Sequence, residues 1–167
     1  SPTRSATDSP GAFYANLSDA ALTLSAPLDF SGATRPAVRF YHRHAVEPDY
    51  DWARVEVSTD SGASWTGLVA YTGTQAAWAR EQVALGAFAG EPSVLLRFRL
   101  VTDASVVMDG WYVDDVLVGE LPEAPVLTNL AAQGVSAVAL AWQPSPSAGV
   151  TAYRIYRSQA EGFDWRQ

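Results

Sequence analysis

The chain has 167 residues, of which 48% are hydrophobic and 17% charged, enough apolar material for a sizeable core and too little charge for a disordered chain. Eighteen acidic against eleven basic residues give a formal net charge of −7, which argues against nucleic acid as a partner, and no apolar run approaches the roughly 18 residues that insert across a bilayer. Cysteine is absent, which excludes disulfides, thiolate metal sites and a cysteine nucleophile.

Short alternating apolar and polar stretches, broken by Gly, Pro, Asp and Ser, run along the chain, and no 3.6-residue period persists. The pattern predicts an all-β fold. Strands are expected over 21–28, 37–44, 53–58, 64–71, 77–85, 94–101 and 111–118, a succession that fits an antiparallel sandwich or jelly roll. Each strand has one dry face: Val55 and Val57 alternate with Arg54 and Glu56, and Leu96, Phe98 and Leu100 with Arg97 and Arg99. Arg39, Arg43, Arg97, Arg99 and Glu56 are expected on the outer face as a charge-laced surface. Pro122 and Pro125 cannot continue a central strand, so the first domain is expected over 1–119 and a linker over 120–125. Beyond it, 137–142 and 150–157 read as further strands around the turn cluster Pro144, Ser145, Pro146 and Ser147.

Two motifs carry chemistry. In Ser58-Thr59-Asp60-Ser61-Gly62-Ala63-Ser64-Trp65, Asp60 can accept backbone hydrogen bonds within a turn, Gly62 supplies positive φ, and Trp65 folds back as an apolar plug. This resembles the Asp-box hairpin of secreted bacterial proteins, which implies a scaffold role. In Asp109-Gly110-Trp111-Tyr112-Val113-Asp114-Asp115-Val116, adjacent carboxylates on a half-buried strand cannot both reach water unless a bulge intervenes, so one is expected to point inward. A buried carboxylate needs a cation, an arginine or several backbone donors. Asp8, Glu47, Asp51, Asp103, Asp109 and Asp115 together offer the hard oxygen ligands that suit a structural Ca²⁺. An arginine-paired or backbone-bonded carboxylate, or acid–base catalysis, are the alternatives. His42 and His44 lie at i and i+2 on one strand face, a Zn²⁺-compatible spacing without an evident third ligand, so packed or hydrogen-bonded histidines are the expectation. The sequence has no Gly-x-Ser-x-Gly elbow, His-Glu-x-x-His motif or phosphate-cradling glycine loop.

Several segments then occur in a telling order. Asp8-Ser9-Pro10 is followed by Tyr14, by Ser25-Ala26-Pro27-Leu28-Asp29-Phe30-Ser31-Gly32, and by Phe40-Tyr41-His42-Arg43-His44. Tyr50-Asp51, Val55-Glu56-Val57-Ser58, Arg97-Phe98-Arg99-Leu100 and the Asp-Gly-Trp-Tyr-Val-Asp-Asp-Val run complete the series. This set resembles the MAM-like jelly-roll module of secreted bacterial peptidases of the immune inhibitor A and bacillopeptidase F type. The resemblance implies an antiparallel jelly roll, an extracellular location, no catalysis of its own and often a bound Ca²⁺. Residues 126–167 resemble the first half of a fibronectin type III domain, through Pro125-Val126, Val138-Ala139-Leu140-Ala141-Trp142 and Tyr153-Arg154-Ile155-Tyr156-Arg157.

Three strands without a facing sheet would leave Leu140, Trp142 and Ile155 as an interaction edge. Either the chain is cut short, or another surface covers them. The expected function is that of a non-catalytic extracellular accessory or adhesive module with a protein, cell-surface or polysaccharide target. Self-association into an extracellular polymer completed by a neighbour's strands, and a carbohydrate-binding jelly roll using tryptophans such as Trp52 and Trp78, are the rival expectations.

Overall fold

The computed structural model describes residues 5–133, 137–147 and 150–153, excluding the side chains of 132, 133, 137 and 138. The chain divides into two compact units, Ser1–Leu121 and Pro122–Gln167. Among the described residues, unit one contains eight strands: β1 Ala6–Thr7, β2 Asp19–Thr23, β3 Pro36–Ala45, β4 Trp52–Ser58, β5 Thr66–Tyr71, β6 Thr74–Ala84, β7 Leu95–Val101 and β8 Gly110–Glu120. They form two antiparallel sheets with the orders β1-β8-β3-β6 and β2-β7-β4-β5. Because the chain crosses between the sheets at every connection except β4–β5 while β1 and β8 pair, this is the connectivity of a jelly roll. No helix among the described residues is long and apolar enough to cross a membrane.

The period-two pattern buries one face of each sheet against the other. Val38 and Phe40 of β3, Val55 and Val57 of β4, Leu96, Phe98 and Leu100 of β7, and Trp111 and Val113 of β8 share one core. Phe40 meets Phe98 edge-on across the sheets, with ring centroids 5.1 Å apart. Truncating such a buried ring typically costs about 3–5 kcal/mol through lost transfer energy and the cavity left behind.

The outer faces differ. On the β2-β7-β4-β5 sheet, Arg99 grips Asp19 with two bonds of 2.6 and 2.7 Å, and Arg97 bonds Glu56 at 2.6 Å while stacking on Trp65. Roofed in this way, Glu56 is only 5% exposed although its strand parity points it outward. Arg39 and Arg43 belong to the other sheet, so the five expected outer-face residues do not form one surface.

The expectation of one inward carboxylate at Asp114 or Asp115 is corrected by a bulge. The β3–β8 register shifts between Arg39 and Tyr41, and Asp115 takes a φ of +50°. The extra residue resets the alternation, leaving Asp114 half-buried and Asp115 exposed. Predicted strand 21–28 is also shorter: β2 stops at Thr23, and Leu28 makes only an isolated bridge to Val94.

His42 and His44 both point inward, into rings from Tyr71 and Trp111. Trp111 Nε1–H donates to His42 Nδ1 at 3.2 Å, which suits a neutral imidazole. Burial, with the neighbouring His44 adding to it, lowers the His42 pKa to about 4. The unfolded chain, with a histidine pKa of about 6.5, therefore takes up this proton first. Stability from the neutral ring is fully present above that value and is lost as pH falls towards 4, by up to about 3 kcal/mol. Urea midpoints measured from pH 7 down to 4 should fall accordingly, and His42→Gln should flatten the slope; an equal slope in the variant would assign the acid sensitivity elsewhere.

In unit two, β9 Val126–Gln133 and β10 Ala137–Gln143 form an antiparallel hairpin. Residues 150–153 of the expected third strand are not in a strand, and 154–157, including Ile155, lie outside the described residues. Leu140 is exposed, whereas Trp142 is half-buried with its ring edge-on to Tyr153.

Candidate functional site: a carboxylate cluster at one end of the jelly roll

Of the six predicted metal-ligating carboxylates, the fold brings together three. Glu47 lies just beyond β3, Asp51 just before β4, and Asp103 just beyond β7. One oxygen from each lies within 4.8 Å of the others. The loop between β3 and β4 closes when the Asp51 N–H donates to the Glu47 carbonyl at 3.1 Å, and Asp49 turns it with a φ of +66°. Thr72 fastens the loop from β5's end, accepting from Asp49 N–H at 2.8 Å and donating to the Glu47 carbonyl at 3.1 Å.

Asp51 organises the site. It is fully buried. Its Oδ2 accepts from the Tyr14 hydroxyl at 2.5 Å, and its Oδ1 accepts the Asp103 N–H at 2.8 Å. The Glu47 N–H in turn donates to the Tyr14 oxygen at 3.1 Å. Burial first, then the bond to Asp51, raises the Tyr14 pKa above its ordinary phenol range, so the hydroxyl stays a donor. Ser105 ties the other two carboxylates, its hydroxyl lying 3.2 Å from Glu47 Oε2 and 3.0 Å from Asp103 Oδ1.

Among the described residues, no arginine forms an ion pair with Glu47, Asp51 or Asp103. Three carboxylate oxygens within 4.8 Å of one another, framed by the Tyr14 and Ser105 hydroxyls, fit the hard-oxygen chemistry of Ca²⁺ better than that of a nitrogen- or sulfur-preferring metal. Tyr14 and Ser105 were not among the sequence-predicted site residues. Tyr14 lies 37 positions from Asp51 and Ser105 58 from Glu47, so only the Asp103–Ser105 bond, two positions apart, has a local signal.

The other three predicted ligands are held elsewhere. Asp8 Oδ1 accepts the Trp111 N–H at 2.8 Å, and the Ser9 hydroxyl donates to the Asp109 carbonyl at 3.2 Å. These bonds clamp β1 to the start of β8. Asp109 Oδ1 accepts from the Tyr112 hydroxyl at 2.9 Å, with Oδ2 lying 3.7 Å from Arg43. Asp115 sits in the β8 bulge, where its N–H donates to Asp114 Oδ1.

The Ser58–Trp65 segment forms the β4–β5 turn. Asp60 Oδ1 accepts from the Ser58 hydroxyl and the Ser64 N–H at 2.6 and 2.9 Å, while Gly62 has a φ of +89°. Trp65 Nε1–H donates to the Gly62 carbonyl at 3.1 Å. The Ser58 and Ser64 bonds lower the Asp60 pKa to about 2. Its ionised form therefore supports the turn above the unfolded carboxylate range, and that support is lost as pH falls through about 2. Asp60→Ala should accelerate hydrogen exchange at the Ser64 amide; unchanged protection there would show that the turn does not depend on this carboxylate.

The model of the family described as Immune inhibitor A-like, MAM domain matches residues 8–121. The chain belongs to this family. The match takes in both clamps of the MAM module, Asp8 to Trp111 and Tyr14 to Asp51. Among curated relatives, the module is similar to Bacillopeptidase F of Bacillus subtilis (strain 168), with 28% identity over 107 residues. That alignment covers 64% of this chain and 7% of the relative. It is also similar to the Pre-pro-metalloprotease PrtV of Vibrio cholerae serotype O1, in strains M66-2 and El Tor Inaba N16961, with 34% identity over 115 residues. That match covers 62% of this chain and 12% of each relative. The chain thus corresponds to a small part of much longer proteins named as peptidases.

Proposed function

We propose that this chain is a non-catalytic accessory module of an extracellular peptidase or surface protein, attaching its parent to a protein, cell-surface or polysaccharide target. The observation that carries this reading is the family match over 8–121, beside alignments that cover only 7% and 12% of relatives named as peptidases. Ca²⁺ held by Glu47, Asp51 and Asp103 supplies the second part of the reading. Bridging the β3–β4 and β7–β8 loops, the ion would offset the mutual repulsion of the three carboxylates and stiffen that end of the sandwich without taking part in bond making.

The test has two arms. Tagged chain should cosediment with insoluble protein or cell-wall polysaccharide, and the same preparation should hydrolyse no casein. Turnover abolished by Asp51→Asn, or absence from every pellet, would overturn the attachment reading. A second reading, self-association, is favoured by the exposed Leu127, Leu130 and Leu140 on the β9–β10 hairpin. Sedimentation velocity should then show assembly that rises with concentration; a monomer at all concentrations would remove it.

A further inference from the structure

The outer face of the β1-β8-β3-β6 sheet differs from that of its partner, where, among the described residues, Arg97 and Arg99 are paired with Glu56 and Asp19 and Arg54 lies over the Trp52 ring without a salt bridge. Along β3, Arg39, Tyr41 and Arg43 alternate outward. On the neighbouring edge strand, Arg80 pairs in register with Tyr41. The β3–β6 register then shifts between His42 and His44, and this irregularity brings Trp78 beside Arg43. The Arg43 guanidinium is flanked by two rings, 4.0 Å from the Tyr112 centroid and 5.9 Å from that of Trp78. Trp78 and Tyr41 remain 44% and 42% exposed.

The charge on this face is only partly spent internally, through the Arg43–Asp109 pair. In a chain of net charge −7, Arg39, Arg43 and Arg80 gather on the β3–β6 half of one sheet. Among the described residues neither Arg39 nor Arg80 forms a salt bridge, and Arg43 reaches Asp109 only at 3.7 Å. The nearby carboxylates Asp109 and Asp114 lie on the β8 side. By contrast, Arg97 and Arg99 across the sandwich are engaged by Glu56 and Asp19.

Resting on the attachment reading above, we propose that Arg39, Tyr41, Arg43, Trp78 and Arg80 form a binding face for an acidic polysaccharide of the uronate class. Exposed rings on a sheet face stack against the apolar C–H faces of sugar rings, and guanidinium forks take carboxylates with two bonds. A peptide added at the edge strand β6 would be held through its backbone, whereas these rings and guanidiniums stand on the face of the sheet. The face is independent of the carboxylate cluster in both residues and sign of charge.

Affinity electrophoresis of the intact chain through gels containing polygalacturonate, dextran or poly-glutamate tests this, with each run made in chelator and in calcium. Polygalacturonate alone is expected to retard the chain, in chelator as well as calcium, and less as salt rises. Trp78→Ala and Arg80→Ala should each weaken retardation about tenfold with unchanged melting temperatures, and Arg80→Lys should lose less than Arg80→Ala. Equal retardation by poly-glutamate would overturn the sugar assignment in favour of an acidic peptide, and equal retardation by dextran would overturn the role of charge. Full retardation of the Trp78→Ala/Arg80→Ala double variant would overturn the assigned face alone. A chain that ignores polygalacturonate but cosediments with insoluble protein overturns the uronate proposal and keeps the attachment reading; one that binds nothing overturns both.

Discussion

Gly110→Ala is expected to lower the melting temperature of the MAM module by about 10 °C or more, equivalent to about 3 kcal/mol for a domain of this size. Two effects coincide at this position. Gly110 has a φ of +96°, which a residue with Cβ rarely adopts, and an added Cβ would lie 2.5 Å from Asp8 Oδ1 and 2.7 Å from Oδ2. The carboxylate cannot withdraw without releasing the Trp111 N–H that it accepts. Moving it would loosen the two-residue β1, whose pairing with β8 joins Ala6 to Val113 and Thr7 to Tyr112. Thermal melts of Gly110→Ala in the wild-type and Asp8→Ala backgrounds separate the effects. A smaller penalty without Asp8 is expected; an equal penalty in both backgrounds would show that the steric clash contributes nothing.

Asp51→Ala should cost about 3 kcal/mol and remove the response to calcium. The substitution leaves the Tyr14 hydroxyl and the Asp103 N–H without their buried acceptor. It also takes away one of the three converging ligands. Asp51→Asn separates these roles because it preserves volume and an acceptor while removing the charge. The wild-type melting temperature is expected to fall on chelation, since a ligand bound only by the native state stabilises by mass action, about 2.7 kcal/mol at a hundred times Kd. In Asp51→Asn the melts with and without calcium should coincide, at a temperature above that of Asp51→Ala. A calcium shift of wild-type size in Asp51→Asn would move the ion elsewhere, and Asp115→Asn serves as the control that should retain the full shift.

Within the jelly roll the longer strands could be read because Val55 and Val57, or Leu96, Phe98 and Leu100, alternate with charged residues over five or more positions. β1 escaped notice because two residues carry no period. The bulge at Asp115 was foreseeable only as a condition, since its φ is selected by pairing with β3. The acidic supply was equally visible, but composition could not divide six carboxylates among a clamp, an ion pair, a bulge and a three-membered cluster.

The ordered motifs and period-two pattern by themselves determined that this protein is an all-β chain resembling the MAM modules, because alternation dictates which side of each strand must be dried. Only the tertiary structure decided that Glu47, Asp51 and Asp103 meet, that Asp8 instead fastens β1 to β8, and that Arg43 lies between Trp78 and Tyr112. Apart from Glu47 and Asp51, which share one loop, sheet register and loop closure set those meetings between residues dozens of positions apart, and neither is encoded in the local spacing of side chains.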